Sequence, residues 1–177
     1  MKILTVPNKT LNEKSDPVEK FDKKLVSTLR EMEATLDATF DPKGVGLSAP
    51  QIGIRKRFFI MRPTEKDKLQ IFINPEITLA KNIKKKGEKK LLEGCLSIPN
   101  IWGNVARPNH IRLKFYTTEG KEMTDTFDDF IAAVIQHEID HLDGILFTQR
   151  VMEQGEQLYR SYKNAQGEDE FEEIAFL

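Results

Sequence analysis

The chain has 177 residues, nearly balanced charges (27 basic against 28 acidic side chains) and a formal net charge of −1. This length favours one domain over the whole of residues 1–177, and the balance excludes a general basic field of the kind that attracts nucleic acid. The longest apolar run, at 130–135, is too short to cross a membrane. A single cysteine forms no internal disulfide. Because the sequence starts without a signal-peptide region, we expect a cytoplasmic protein, although a processed organellar protein would look the same.

The first predicted element is an amphipathic helix. Its apolar residues recur every three or four positions from Val18 to Phe40, which is the period of a helix that buries one face. Asp16 followed by Pro17 is typical of a helix start. The turn-forming run at 41–44 then ends the helix.

Short strands are predicted after this helix. Runs typical of β structure occupy 57–61 and 69–77, and Pro75 makes the end of the second run an edge or a bulge. The lysine-rich stretch at 81–90 is typical of a solvated hairpin tip or sheet edge. We therefore do not interpret its charge as a binding surface.

A hairpin and a second helix are predicted next. Apolar residues alternate with charged ones at 111–115, and a Glu-Gly turn leads to a further strand at 123–127. Either Thr126 or Asp128 can cap the following helix, and Gly144 ends it.

The last predicted elements are a short apolar strand at 145–147 and a third helix at 152–164. An acidic tail follows at about 167–177. No linker rich in Pro, Gly or Ser divides the chain, so the elements together predict one α+β domain.

The second helix carries a candidate metal site. His137 and His141 are four residues apart, so both imidazoles lie on one helix face and can reach one ion. Glu138 is rotated about 100° around the helix, where a general base can act without binding the ion. Because such polar groups are costly in a mostly apolar helix unless they are satisfied, the pattern predicts metal binding.

A catalytic site of this type needs a third protein ligand. The residues alone leave the choice open between Cys95, His110, and a downstream acid such as Glu153 or Glu156. A lone buried cysteine is more often a small hydrophobe, and a histidine just before a strand is more often a satisfied surface residue. No histidine or cysteine follows the motif, which excludes the metalloprotease arrangement with a third histidine downstream.

Three charged residues near these motifs have alternative roles. Asp140 either orients a ligand histidine or forms an ion pair with an arginine. For Arg107 we favour a structural ion pair over a clamp on the substrate. For Glu93 we favour hydrogen bonds that hold the Cys95 loop over a role in proton transfer.

Three ordered segments resemble the motifs of the peptide deformylases: GVGLSAPQ at 44–51, EGCLS at 93–97 and QHEIDH at 136–141. The resemblance extends over about 3–150. It implies an α+β fold in which antiparallel sheets pack around a central helix carrying HExxH, with N-terminal and C-terminal helices. It also implies a metal-dependent hydrolase that removes the formyl group from N-formylmethionine at the N-terminus of nascent polypeptides and releases formate.

The resemblance assigns the metal ligands. Cys95, His137 and His141 match the positions that hold one divalent ion in the family. In peptide deformylases this ion is generally Fe(II), and zinc, nickel or cobalt can occupy the same site. The lone cysteine would then act as a ligand rather than as a core residue.

The resemblance also assigns the catalytic and substrate-binding positions. Glu138 matches the catalytic acid/base, and Gln51 and the backbone N–H of Leu96 match the groups that bind the formyl oxygen. The positions that contact the substrate peptide or line the methionine pocket are Val45, Gly46 and Val134.

The sequence departs from the family pattern at three places. Ser48 replaces a usual alanine, and Trp102 stands where many bacterial members carry an arginine. Some relatives dock on the ribosome through a basic C-terminal helix. The tail of this chain is acidic, so RNA phosphates would repel it. We therefore expect a monomer of bacterial type that associates with ribosomes at most transiently and by another route, with no specific nucleic-acid or membrane partner.

Two other functions would use the same helix. An HExxH metallo-endopeptidase would take a downstream glutamate as its third ligand and would keep its metal when Cys95 is replaced. A non-catalytic relative would use the metal only to staple the fold, and Glu138 would then be dispensable.

Overall fold

The computed structural model describes residues 1–83 and 92–175, which form two antiparallel sheets and three α-helices. The first sheet contains, in spatial order, β1 (Gly46–Ser48), β2 (Phe58–Met61), β3 (Gln70–Lys81), β6 (His110–Tyr116) and β7 (Glu122–Asp128). The second contains β4 (Leu92–Cys95), β5 (Ile98–Asn104), β8 (Leu158–Lys163) and β9 (Asp169–Glu173). The helices are α1 (Lys23–Asp37), α2 (Asp129–Leu142) and α3 (Phe147–Glu153). The α+β prediction with antiparallel sheets is confirmed.

The first sheet is covered by a helix on each face, and β2 shows how. Successive strand residues face opposite sides: Phe58 and Ile60 pack into the cluster of α1, whereas Phe59 and Met61 pack into the cluster of α2. All four are at most 2% exposed. Helix α2 therefore lies on a fully buried surface, and its motif residues are held by a well-packed core.

The second sheet has its own core with α3. It contains Cys95, Ile98, Phe147, Val151 and Leu158. We call β8 and β9, residues 158–173, the C-terminal hairpin. Its first strand pairs with β5, and its second strand pairs only with the first among the described strands.

Helix α1 is shorter than predicted at both ends. It begins after Asp22, whose carboxylate caps the first turn, and not at Pro17. The N–H of Val18 donates instead to a side chain of β3, so the segment before the helix stays extended. The helix ends at Asp37, which leaves Phe40 outside it and 90% exposed.

The middle of the chain follows the predictions more closely. The register between β3 and β6 shifts between Ile73 and Glu76, a step that spans Pro75, so the predicted bulge is confirmed. The β6–β7 hairpin is also confirmed, with seven pairs in continuous register. Of the lysine-rich stretch at 81–90, residues from 84 onward lie outside the described residues.

Helix α2 is confirmed, although its cap differs. Asp128 occupies the N-cap position without a side-chain capping bond, because its carboxylate accepts a hydrogen bond from His110 (Nδ1–Oδ1 2.7 Å). Thr126 lies within β7. Gly144 ends the helix as predicted, with a left-handed φ of 74°.

The predictions after the second helix are wrong. The stretch 145–147 is no strand, because Leu146 is the N-cap of α3. The helix expected at 152–164 is absent: α3 stops before Gly155, whose φ is 65°, and the chain then forms β8. The acidic stretch expected as a tail contains β9. Within the described ranges, no helix is both long and apolar enough to span a membrane.

Candidate metal centre

Cys95, His137 and His141 come together where the end of β4 meets α2. Their ligand atoms all lie within 4.8 Å of one another, and Cys95 Sγ is 3.1 Å from His141 Nε2. Cys95 is 7% exposed and His141 is 1% exposed. One thiol and two imidazoles at this spacing form the donor set that zinc and iron use in proteins.

The protonation of these groups also fits a metal. Burial raises the pKa of the Cys95 thiol. The charge of His141 and the hydrogen bonds from both histidines lower this pKa by more than burial raises it, so the thiol pKa lies well below its usual value. Burial lowers the pKa of His137, whereas its bonds to Cys95 and Glu93 raise it well above the usual value. A thiolate is the form that binds a metal, and a bound ion takes the place of the imidazole protons.

Glu93 orients one of the two histidines. Its Oε2 accepts a hydrogen bond from His137 Nδ1 (3.0 Å), which leaves Nε2 for the ligand position. Burial raises the pKa of Glu93, but the bonds from His137 and Arg107 lower it below its usual value. The predicted role in holding the loop is therefore only part of what Glu93 does. Its position two residues before Cys95 on one strand face is the sequence signal that we missed.

Asp140 belongs to a buried ion network and does not orient a histidine. Arg107 donates to Asp140 (Nη1–Oδ2 2.9 Å) and to Glu93 (Nη2–Oε2 2.9 Å). Arg150 donates to the same aspartate (Nη2–Oδ1 2.7 Å). The structural ion pair expected for Arg107 is present, and with Arg150 it ties β4, α2 and α3 together around the candidate metal ligands.

Glu138 lies deep in the site. It is 3% exposed, and its Oε2 atom has no hydrogen-bond partner among the described residues. Burial raises its pKa, which makes the carboxylate a better proton acceptor near neutral pH. A Cβ on Gly46 would lie 2.4 Å from Glu138 Oε1, so only glycine lets β1 pass this close to the carboxylate.

Gln51 is held in one orientation. Its Oε1 accepts hydrogen bonds from the Ser48 N–H (2.9 Å) and from the Ser48 hydroxyl (3.0 Å). Its Nε2 therefore faces the candidate metal ligands, where it donates to Ser97 Oγ (3.2 Å) and lies 3.6 Å from Cys95 Sγ. The serine that departs from the family pattern thus anchors Gln51.

A cavity opens from these groups. Its volume of about 180 Å³ is several times the roughly 30 Å³ share of one water molecule, so it can hold a side chain. The residues that were expected to face the substrate all line it: Val45, Gly46, Gln51, Leu96, Val134 and Glu138. Phe130 and Ala133 also line it and were missed, although their spacing before Val134 and His137 places them on the same helix face.

Two of the other candidate ligands have partners away from the site. His110 bonds to Asp128, and Glu153 pairs with Arg150 (3.2 Å). Across residues 1–83 and 92–175, the group of acidic, histidine and cysteine side chains able to hold one ion is Cys95, His137 and His141.

Known proteins are similar to this chain in sequence and in fold. The sequence model of the polypeptide deformylase family matches residues 1–157. The peptide deformylase of Rhodopirellula baltica is 37% identical over 94% of this chain and 85% of its own length. Peptide deformylase 1 of Bacillus subtilis is 38% identical over 85% of this chain and 89% of its own.

Solved structures agree. The peptide deformylase of Thermotoga maritima superposes with a TM-score of 0.74 at 35% identity, over 84% of this chain and 95% of that one. A peptide deformylase of Legionella pneumophila gives 0.76 at 35% identity, over 84% of each chain. The family implies a divalent metal, and Cys95, His137 and His141 form a site that can hold one. The chain therefore belongs to the peptide deformylase family, hydrolases that remove the N-formyl group from nascent peptides.

Proposed function

We propose that this chain hydrolyses the formyl amide of N-formylmethionyl peptides with one divalent ion held by Cys95, His137 and His141. The observation that carries the proposal is this Cys/His/His group beside a cavity large enough for a side chain. When bound, the ion supplies a Lewis acid for the formyl carbonyl and a water of lowered pKa. Fe(II) is the natural ion that the family resemblance implies, and zinc, nickel or cobalt also suits these ligands.

Glu138 moves the proton. Its buried Oε2 accepts a proton as the water oxygen attacks the formyl carbon. The same carboxyl then gives that proton to the methionine nitrogen as the C–N bond breaks. Formate and a free amino terminus result, and the carboxylate returns to its starting state.

Gln51 and the backbone N–H of Leu96 stabilise the charge that develops on the formyl oxygen. The Gln51 amide is already fixed by Ser48 with Nε2 toward the ligands, so it loses little freedom in the transition state. A preorganised donor of this kind contributes about 2.7–4 kcal/mol.

The methionine side chain occupies the apolar part of the cavity. Val45 comes from the segment before β1, whereas Val134 comes from α2 one turn before the first histidine. The backbone of Gly46 borders the same space and can hydrogen-bond an extended peptide.

We further propose that residues 1–177 work as one catalytic domain. The first sheet contributes Gly46 and the second contributes Cys95, so neither sheet holds the site alone. The described part of the C-terminus contains an acidic strand and not a basic helix. Any transient contact with the ribosome would therefore use another surface.

The decisive assay measures formate. Protein is loaded with Fe(II) without oxygen, since oxidation of the iron or the thiolate would end activity, and is given formyl-Met-Ala-Ser. We expect formate in proportion to bound metal. No formate above the metal-free control would reject the proposal, and cleavage of internal peptide bonds would support an endopeptidase.

A further inference from the structure

The C-terminal hairpin lies beyond residue 157, where the match to the family model stops. Strand β8 pairs with β5, and Trp102 is opposite Tyr159 in that register. Side chains alternate between strand faces, so Ser161, and Phe171 opposite it on β9, share the face of Trp102. The hairpin thus extends the sheet surface that carries this tryptophan.

Two hairpin residues hold the indole. Its Nε1–H donates to Ser161 Oγ (3.1 Å). The ring of Phe171 meets it edge to face, with centroids 6.0 Å apart and planes at 85°. One polar and one aromatic contact define the plane of a half-buried ring.

The indole also forms a wall of the active-site cavity. Trp102 lines it together with Gly94 and Leu92 of β4. A Cβ on Gly94 would lie 2.8 Å from the ring, so glycine beside the metal ligand Cys95 lets the indole lie flat on the strand. The wall continues into apolar surface, because Leu92 and Phe171 are 41% and 46% exposed.

The hairpin reaches the loop at the cavity mouth as well. Lys163 Nζ lies 3.3 Å from Asp41 Oδ2, and the next residues, Pro42 and Lys43, line the cavity. A peptide whose formyl group is at the metal centre and whose methionine fills the pocket can leave between Trp102 and the loop at 42–43, which both line the cavity.

We propose that Trp102, positioned by Ser161 and Phe171, binds the side chains that follow formylmethionine and favours apolar or aromatic residues over acidic ones. This inference rests on the proposed function. Trp102 and the exposed edge of Phe171 offer apolar contact. Glu173 shares the face of Phe171 on β9, so its carboxylate disfavours an acidic peptide, whereas Asp169 is paired with Lys163.

The test compares formyl-Met-Phe-Ser, formyl-Met-Gly-Ser and formyl-Met-Asp-Ser. In the wild type we expect the phenylalanine peptide to have the highest kcat/KM and the aspartate peptide the lowest. Trp102→Ala should raise KM for the phenylalanine peptide about tenfold with kcat nearly unchanged, because this contact is the same in the ground and transition states. The glycine peptide should change little.

Variants of the hairpin separate positioning from general damage. Ser161→Ala and Phe171→Ala should raise KM for the phenylalanine peptide in the same direction but less. Tyr162→Ala is the matched control, since Tyr162 is 46% exposed like Phe171 but alternates to the other face. An equal loss for all three peptides, or a Tyr162→Ala effect as large as that of Phe171→Ala, would overturn the inference.

Fluorescence gives a second measurement without turnover. Trp102 is the only tryptophan in the chain, so its emission reports this wall alone. Titration of the zinc-loaded protein with the product peptide Met-Phe-Ser should change the emission at lower concentration than Met-Gly-Ser does. Unchanged emission at peptide concentrations that inhibit the enzyme would contradict the inference. Absence of formate from every peptide would instead reject the proposed function.

Discussion

Helix α2 lines the candidate active-site cavity, and the C-terminal hairpin supports Trp102 in the wall of that cavity, but the two elements are held in very different ways. Eight of the fourteen residues of α2 are buried, and the helix is packed on the first sheet and braced by the ion network of Asp140. All five residues of β9 are exposed, and the hairpin is held by one neighbouring strand and a few side chains.

This difference matches the two roles that we propose, catalysis for the groups around α2 and substrate preference for the wall that the hairpin supports. Chemistry needs groups fixed to within a fraction of an ångström, which a packed core provides. A surface that contacts variable side chains of a peptide needs less exact positioning, so an exposed hairpin can support it. Changes at the α2 side should therefore stop the reaction or unfold the protein, whereas changes in the hairpin should alter preference alone.

Replacement of Cys95 should have the largest effect. Cys95→Ala removes the thiolate, and two histidines alone hold a divalent ion weakly, so we expect loss of bound metal and of formate release. Metal analysis after anaerobic purification checks this. His110→Ala is the control, because His110 bonds to Asp128 outside the site. Full metal content in Cys95→Ala would refute the ligand set and favour a glutamate in its place.

Glu138→Gln separates chemistry from metal binding. The amide keeps the shape of the side chain but cannot accept the proton, so kcat should fall by about 10²–10⁴-fold while metal content stays the same. Glu153→Gln, on exposed α3 surface, should leave kcat unchanged. A variant that keeps both metal and full activity would mean that another group moves the proton.

Gly46→Ala tests the close approach of β1 to the carboxylate of Glu138, to which we assign the proton transfer. The new methyl group would lie 2.4 Å from Glu138 Oε1 in the present geometry, so one of the two must move. Displacement of a catalytic group by about 1 Å can cost about 100-fold in rate. Steady-state kinetics with metal analysis measures this, and an unchanged kcat would show that the strand can shift freely.

Arg107→Met tests the buried network around α2. The Arg107 side chain is 8% exposed, and its loss would leave Glu93 and Asp140 with reduced compensation. Breaking such a network lowers the free energy of unfolding by about 3–5 kcal/mol, measurable by urea denaturation. Arg160→Met, exposed on β8, is the matched control. Equal stability of the two variants would mean that the region around α2 contributes no more than the hairpin to the free energy of unfolding.

Local spacing predicted one part of the candidate site, and the family resemblance predicted the rest. His137, Glu138 and His141 follow from helix geometry, and the β6–β7 hairpin follows from strand alternation. The start of α1 could not be predicted in this way, because Val18 bonds to the side chain of Asn74, which lies 56 residues away. The bond from His137 to Glu93 spans 44 residues. Contacts of this length have no periodic signal.

The C-terminal hairpin was missed for a related reason. The sequence predicts a helix and a tail there, whereas β8 forms by pairing with β5, more than fifty residues earlier. Ser48 shows the same limit within a motif. The sequence marks it as a departure, but only the structure places its hydroxyl on Gln51.

Lys163→Met, in the hairpin, should have the smallest effect of these variants on stability and on peptide preference. Lys163 pairs with Asp41 and Asp169, but all three side chains are about half exposed. Solvent screens such pairs, so the urea midpoint should stay at the wild-type value. The preference for phenylalanine over glycine in the peptide should also persist, because Ser161 and Phe171 still hold Trp102. A stability loss as large as that of Arg107→Met would mean that the hairpin is part of the core, and the proposed division between chemistry and preference would fail.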